Sequence, residues 1–169
     1  MIIRYLFYIS LTFFISCAFL KKNKVNKNSY AVIEKEITDF SDKKPLIKMR
    51  KTPCFGRCPY FEVSIYDNGL VIYDGMKFVD KIGKYSSMIH KKKVALIEDY
   101  IRRLDFFSFE KEYDARVTDL PSVIIEVNYQ NKNHKVKGRY RVPEKFKMFT
   151  KFIDNLLLEI NSWDKVKNE

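Results

Sequence analysis

The chain has 169 residues, of which 46% are hydrophobic and 15% aromatic, enough apolar material for one folded domain and an argument against disorder throughout. Its formal net charge of +11 would suit a polyanionic partner. However, lysine supplies most of this excess, whereas arginine is the residue suited to bidentate recognition of phosphates and base edges. We therefore expect no nucleic-acid partner.

The first residues have the pattern of an export signal. Residues 1–4 are short and basic, and residues 5–15 form an apolar run with the ~7–15 residue length of a signal-peptide core. Phe14-Ile15-Ser16-Cys17 resembles a lipobox, the motif at which bacterial lipoprotein precursors are lipidated on cysteine and cleaved just before it, although Phe14 stands where leucine is usual. The resemblance implies that residues 1–16 are a signal peptide and that Cys17 carries a lipid.

An uncleaved membrane helix is the alternative interpretation of this segment. Even when extended to Leu20, however, the apolar run is shorter than the ~20 residues that span a bilayer. Residues 21–29 are polar and basic without hydrophobic periodicity, which is typical of a tether. We expect residues 17–29 to be the lipidated cysteine and its tether. Residues 30–169 would form one domain in the bacterial cell envelope, facing the periplasm or the cell surface.

The first half of this domain has the alternation typical of strands. Residues 46–50 predict a first strand. Residues 60–66 and 70–73 predict a β-hairpin, because Asp67-Asn68-Gly69 between them is a strong turn signal. Residues 78–86, which include a glycine, predict another antiparallel strand with a bulge or a close backbone approach.

The second half predicts a helix, a hairpin and a final helix. Apolar residues spaced by three and four predict a helix over residues 89–104, with Ser86 or Ser87 as its cap, and the phenylalanines after it are expected in the core. Residues 122–129 and 134–140 predict the second hairpin, with a turn at Asn131-Lys132-Asn133.

A last helix should begin with Pro143 at its first position and Glu144 near its positive end. Its apolar stripe is formed by Phe146, Phe149, Ile153, Leu156, Leu157 and Ile160, with Trp163 closing it. The order of elements predicts an α+β fold, in which an antiparallel sheet built from hairpins carries two amphipathic helices on one face.

One motif stands out before the first hairpin. It consists of Thr52, Pro53, Cys54, Phe55, Gly56, Arg57, Cys58, Pro59 and Tyr60. Together with the hairpin that follows, it resembles a family of bacterial domains of unknown function that often follow a lipoprotein signal. The resemblance extends over roughly residues 45–163 and implies no known activity.

Three roles for Cys54 and Cys58 follow from their spacing. A disulfide is the first, because a turn around Gly56 would bring the thiols together and because an exported location favours oxidation. A redox-active pair is the second. A metal site is the third, because Cys-x-x-x-Cys-Pro also resembles the copper-binding motif of periplasmic copper-delivery proteins of thioredoxin fold; Met49 or a histidine would complete it. In that fold the motif leads into a helix, whereas a strand is predicted here.

No other constellation in the sequence points to catalysis. His90 and His134 each lie beside lysine and are expected on the surface. Glu110, Glu112, Asp114 and Asp119 form a carboxylate-rich stretch that could bind a cation, although solvation is the ordinary explanation.

The sequence therefore predicts a membrane-anchored, non-enzymatic module without a cofactor. We expect it to bind a partner protein or another envelope component through a sheet face or an edge strand. The rival is a periplasmic thiol oxidoreductase or copper-handling protein that uses Cys54 and Cys58.

Overall fold

The fold is α+β, as predicted. A computed structural model describes residues 43–115 and 119–166, so Cys17 and its tether lie outside the described residues. The strands are β1 Ile47–Lys51, β2 Tyr60–Ile65, β3 Leu70–Lys77, β4 Gly83–Met88, β5 Glu112–Tyr113, β6 Val123–Tyr129, β7 Lys132–Gly138 and β8 Asp164–Lys165. The helices are α1 Lys91–Arg103 and α2 Glu144–Leu158, with a short 3-10 helix at Phe106–Ser108 between β5 and α1.

The eight strands form one sheet in the order β5-β7-β6-β1-β2-β3-β4-β8. Every neighbouring pair is antiparallel except β5 and β7, which are parallel. The strands at the two edges are two residues long. They cover only part of their neighbours, because β5 pairs with Lys137 and Gly138 of β7 and β8 pairs with Tyr85 and Ser86 of β4. Within the described residues, the outer side of residues 132–136 of β7 therefore has no strand beside it.

The predicted hairpin of β2 and β3 is confirmed, and its turn shows why this sequence forms it. The side chain of Asn68 accepts a hydrogen bond from the backbone N–H of Leu70 at 3.0 Å. Gly69 has a φ of 95°, and a β-carbon there would collide with the carbonyl oxygen of Ile89.

The strands after this turn are placed differently from the prediction. β3 continues to Lys77 instead of ending at residue 73, and β4 begins at Gly83 instead of residue 78. Gly75 and Gly83 lie opposite each other in the register, so the ladder continues past the expected strand end. Residues 78–82, predicted as strand, form the connection.

The second hairpin is also confirmed, with a tighter turn than predicted. Gln130 and Asn131 both have positive φ, at 50° and 59°, as in the two-residue turns that match the twist of paired strands. The predicted turn at residues 131–133 was therefore placed too late, since Lys132 already begins β7.

The cap of α1 was predicted wrongly. His90 caps the helix, with its Nδ1 accepting a hydrogen bond from the Lys92 backbone N–H at 3.2 Å. Ser86 and Ser87 cannot do so because both belong to β4. At α2, Pro143 is the residue before the helix instead of its first residue, while Glu144 lies in the first turn as expected.

Both helices pack on the same face of the sheet, as predicted. Their buried residues share one core with Met49, Val63 and Ile125 of the central strands. Tyr100 of α1 and Phe152 of α2 stack with ring centres 3.9 Å apart. The phenylalanines after α1 join this core, since Phe106 is fully buried and Phe109 is nearly so. Within the described residues, neither helix combines the length and the apolar character that a bilayer crossing requires.

Candidate functional site

One end of the sheet carries the conspicuous motif. There, the register aligns a row across six strands, formed by Gly138, Val123, Lys51, Phe61, Gly75 and Gly83. Four segments leave from this row: residues 52–59, 78–82, 119–122 and 139–143. We call this row and its segments the disulfide end, because Cys54 and Cys58 lie in the first of them.

An open cleft of about 350 Å³ lies at the disulfide end, between the sheet and the C-terminal part of α2. Its apolar lining is formed by Pro59, Phe61, Tyr73, Phe78, Val79, Leu157, Leu158 and Trp163. Four charged residues complete it: Lys51, Asp80, Lys81 and Asp154. A largely apolar cavity with a few polar groups is the usual form of a small-ligand site.

Three aromatic rings form a continuous wall of the cleft. The centres of the Phe61 and Tyr73 rings are 5.2 Å apart, and those of Tyr73 and Trp163 are 5.6 Å apart. Tilted contacts at these distances are favourable beyond the area they bury. Register explains why Phe61 and Tyr73 meet, since β2 and β3 place them on the same face two residues apart.

The charged residues of the cleft are arranged around this wall. Lys51 forms an ion pair with Asp154 at 2.7 Å, and its Nζ lies 5.5 Å from the centre of the Phe61 ring. The Nζ of Lys81 lies 6.0 Å from the centre of the Trp163 ring. Lysine side chains thus already lie beside two of the three rings, so these rings are not free to bind a cationic ligand by a cation–π contact.

The ionisation of Tyr73 is shifted by its surroundings. Burial raises the pKa of Tyr73 to about 12, and the nearby carboxylates of Asp80 and Asp74 add to this effect. Like an ordinary tyrosine at neutral pH, it has a protonated hydroxyl that can both donate and accept hydrogen bonds. A polar group of this kind can orient a ligand without carrying charge.

The two cysteines of the motif are joined in a disulfide. Cys54 and Cys58 have α-carbons 5.7 Å apart, and the loop between them leads directly into β2. The backbone N–H of Gly56 also donates to the Cys54 sulfur at 3.3 Å. At the tip, the side chain of Phe55 is 93% exposed. The two cysteines therefore precede a strand, as expected, and not a helix.

The structure does not bring the proposed copper ligands together. Met49 is fully buried on the helix-covered face. His90 is exposed as predicted, but it follows β4 at the opposite end of the sheet and caps α1. In residues 43–115 and 119–166, no group of three or more His, Cys, Asp or Glu side chains could hold a metal ion.

The environment of His134 differs from the prediction. It is only partly exposed, its Nε2 lies 2.8 Å from the carbonyl oxygen of Phe109, and its ring contacts Phe106 and Phe107. The neighbouring lysines indicated a surface position, but β7 turns this residue toward the aromatic residues after α1.

The carboxylate-rich stretch is occupied by the protein's own cations. Lys137 forms ion pairs with Glu112 at 2.7 Å and with Asp114 at 2.8 Å, and Arg139 lies 3.7 Å from Asp114. The hydrogen bond from Lys137 holds the pKa of Asp114 below its usual value. These contacts connect β5 to β7 and explain the acidic residues without a bound cation.

Sequence reasoning missed the cleft. Its residues come from segments more than a hundred positions apart, and Phe61, Tyr73 and Trp163 had been assigned only to strands and to a core stripe. Trp163 carried a partial signal, because it follows the last helix and is the only tryptophan in the chain.

Comparison with known proteins gives a family but no activity. The model of a family described as a domain of unknown function (DUF6438) matches residues 45–157, which contain both hairpins, α1 and nearly all of α2. No curated protein matches the chain.

Proposed function

We propose a role from the geometry of the chain, which belongs to the family described as a domain of unknown function (DUF6438). In this proposal it is a non-enzymatic binding module, held at the bacterial cell envelope by a lipid on Cys17. Its binding site is the cleft at the disulfide end, and the ligand is an apolar or aromatic group of an envelope component or of a partner protein.

The observation that supports this proposal is the lining of the cleft. A wall of three aromatic rings beside a cavity of about 350 Å³ offers contact area to a flat or apolar group. Lys51 and Asp154 form an ion pair at 2.7 Å beside the wall, so the cleft has polar groups that can orient a ligand. The hydroxyl of Tyr73 supplies a neutral polar group for the ligand.

Strand addition is the second way in which this sheet could bind a partner. At one edge, β8 already pairs with Tyr85 and Ser86 of β4, and the backbone of Val166 donates to Lys84 beyond it. At the other edge, β5 pairs only with Lys137 and Gly138, so within the described residues no strand lies beside residues 132–136 of β7 on their outer side. We prefer the cleft because of its aromatic lining, and an extended peptide along residues 132–136 is the alternative.

The anchor is argued from the sequence. The basic start, the short apolar run and Ser16-Cys17 together have the form of a lipoprotein signal. Residues 18–42 would then separate the lipid from the described domain.

Binding to the cleft is tested with anilinonaphthalene sulfonate, an aromatic amphiphile that fluoresces in apolar sites. We expect saturable energy transfer from Trp163 to the probe in a chain that begins at Ser29. The variant Leu158→Glu should weaken it, because a carboxylate on the rim removes apolar contact and repels the sulfonate of the probe. Leu158 is 81% exposed, so the change should cost little stability. Met148→Glu is the matched control, since Met148 is exposed on the same helix outside the cleft lining.

Equal probe affinity in the two variants would contradict the assignment of the cleft. A cooperative unfolding transition must accompany each titration, because partly folded chains also bind this probe. The anchor is tested separately by the intact mass of protein extracted from membranes. Loss of residues 1–16 with added acyl mass is expected, and an unprocessed N-terminus would refute the lipid anchor while leaving the cleft untouched.

A further inference from the structure

Exposed apolar side chains are concentrated at the disulfide end. Phe55, Phe78, Ile82, Leu120 and Tyr140 lie in the four segments that leave from it, and Leu158 borders the cleft there. The remaining large exposed hydrophobic residues of the described part are Met88, Leu96 and Met148. Since these three are spread over β4, α1 and α2, no comparable cluster forms elsewhere in residues 43–115 and 119–166.

Basic side chains lie beside the exposed aromatic rings of this end. The Nζ of Lys77 is 4.9 Å from the centre of the Phe78 ring, and the guanidinium of Arg141 is 5.5 Å from that of Tyr140. Arg57 follows Phe55 by two residues in the same closed loop and is exposed. The four segments carry four Lys or Arg residues against two Asp, and Lys77 lies beside them at the end of β3. One of the four, Arg139, lies 3.7 Å from Asp114.

The most exposed of these rings is held on a short closed loop. The disulfide closes a loop with only three residues between its two cysteines, and Thr52 fixes the base of this loop. Its backbone N–H donates to the carbonyl of Ser122 at 2.9 Å, and its Oγ1 accepts from the Ser122 N–H at 2.8 Å. Because little ordering is left to occur on binding, an exposed aromatic residue in this setting is suited to insertion.

We propose that the disulfide end docks on an anionic lipid bilayer, with Phe55 inserted at the headgroup boundary. Aromatic rings at the level of the headgroups, with cations that reach the phosphates beside them, are the pattern of interfacial membrane contacts. The apolar residues stand on several separate loop tips, a shape that suits a soft and flat surface.

Charge complementarity selects the type of lipid. The excess of cations at this end attracts anionic headgroups such as phosphatidylglycerol, and a zwitterionic surface lacks that attraction. This inference goes beyond the binding of a ligand in the cleft and does not require it. It gives the domain an orientation, in which the rim formed by Phe78 and Leu158 faces the membrane.

The test uses the full chain in vesicles of equal parts phosphatidylcholine and phosphatidylglycerol. Trp163→Phe removes the native tryptophan, and Phe55→Trp then supplies one reporter whose emission is followed with brominated acyl chains. We expect several-fold stronger quenching than for Met88→Trp in the same background. Met88 is a matched control, because it is 49% exposed but lies at the opposite end of the sheet, where it pairs with Leu70.

Two further measurements separate lipid contact from proximity to the anchor. Arg57→Glu should reduce the quenching of the Phe55→Trp reporter, and so should vesicles of phosphatidylcholine alone. Equal quenching of the two reporters, or none at Phe55→Trp, would overturn the proposal. Quenching that is indifferent to both Arg57→Glu and the anionic lipid would overturn the choice of an anionic surface. Each variant is first compared with the parent by circular dichroism, and exposed positions such as Phe55 are expected to tolerate the change.

Discussion

The Nζ of Lys51 and the carboxylate of Asp154 lie 2.7 Å apart and connect the last residue of β1 to α2 across the wall of the cleft. Both side chains are partly buried, with exposed fractions of 21% and 32%. Lys51 also covers the ring of Phe61, so the pair belongs to the cleft and to the packing of α2 on the sheet.

We predict a measurable coupling between these two residues. In a double-mutant cycle of Lys51→Met and Asp154→Asn, followed by urea unfolding, the coupling free energy should be about 0.5–1 kcal/mol. The ion pair of Lys93 with Glu159 is the control, because its side chains are 42% and 58% exposed. A coupling no larger than that of the control pair would contradict the extra stabilisation that we expect from the partial burial of Lys51 and Asp154.

The disulfide should brace one loop and leave the fold intact. Replacing both Cys54 and Cys58 by serine should lower the free energy of unfolding by about 2 kcal/mol or less, because the closed loop is short. Amide exchange should rise in residues 53–59 and stay unchanged in β6. A redox enzyme would instead show a reduction potential well above about −300 mV and fast exchange with a model disulfide, which would refute the structural role.

Tyr73 gives a prediction at alkaline pH. Its pKa in the folded state is about 12, against 10.0 for an ordinary tyrosine. Between these values the unfolded chain loses the proton and the folded chain keeps it, so the free energy of unfolding should fall as the pH rises above 10. In the Tyr73→Phe variant, the contribution of Tyr73 to this decrease in the free energy of unfolding should be absent.

The difference in tyrosinate absorbance between the parent and Tyr73→Phe should show the ionisation of Tyr73 alone, with a midpoint near pH 12. Asp80→Asn should move that titration to lower pH, because the Asp80 carboxylate helps to raise the pKa of Tyr73. Finding that Tyr73 titrates with an ordinary midpoint would contradict the buried position of its hydroxyl in the cleft.

Gly75 controls the shape of one wall of the cleft. A β-carbon at this position would overlap the carbonyl oxygen of Lys81 and lie 3.0 Å from its carbonyl carbon. Gly75→Ala should therefore cost about 3 kcal/mol and displace residues 78–82, with weaker binding of the fluorescent probe. Gly56→Ala is the control, since the nearest atom to its β-carbon is the Cys54 sulfur at 3.8 Å. Equal stability of the two variants would contradict the close approach.

Local patterns were sufficient to predict most of the fold. Alternation identified β1, β2 and β6, the Asp67-Asn68-Gly69 turn placed the first hairpin, and the apolar stripe of α2 was confirmed by its burial. The errors occurred at element boundaries. His90 caps α1 because pairing of β4 with β3 holds both serines in the sheet, and such pairing is not visible in a single segment.

The candidate site could not be predicted in this way. Periodicity distinguishes buried from exposed positions, but it does not show where two buried surfaces fail to close on each other. Phe61, Tyr73 and Trp163 have the sequence signal of core residues. Trp163 lies after the last residue of α2, and its ring contacts Tyr73 of β3. These rings therefore line a cavity between the sheet and the end of the helix. The disulfide could be predicted from the sequence because its two cysteines are only four positions apart in the chain.

The central claim, that the cleft binds a component of the envelope, is tested most directly by the emission of Trp163. Purified peptidoglycan fragments and membrane lipid extracts would be titrated separately into the parent, Leu158→Glu and Met148→Glu chains. We predict that one of these fractions shifts the emission saturably in the parent and in Met148→Glu, and that Leu158→Glu loses this response. A response that is identical in all three chains, or no response of the parent to either fraction, would contradict the account.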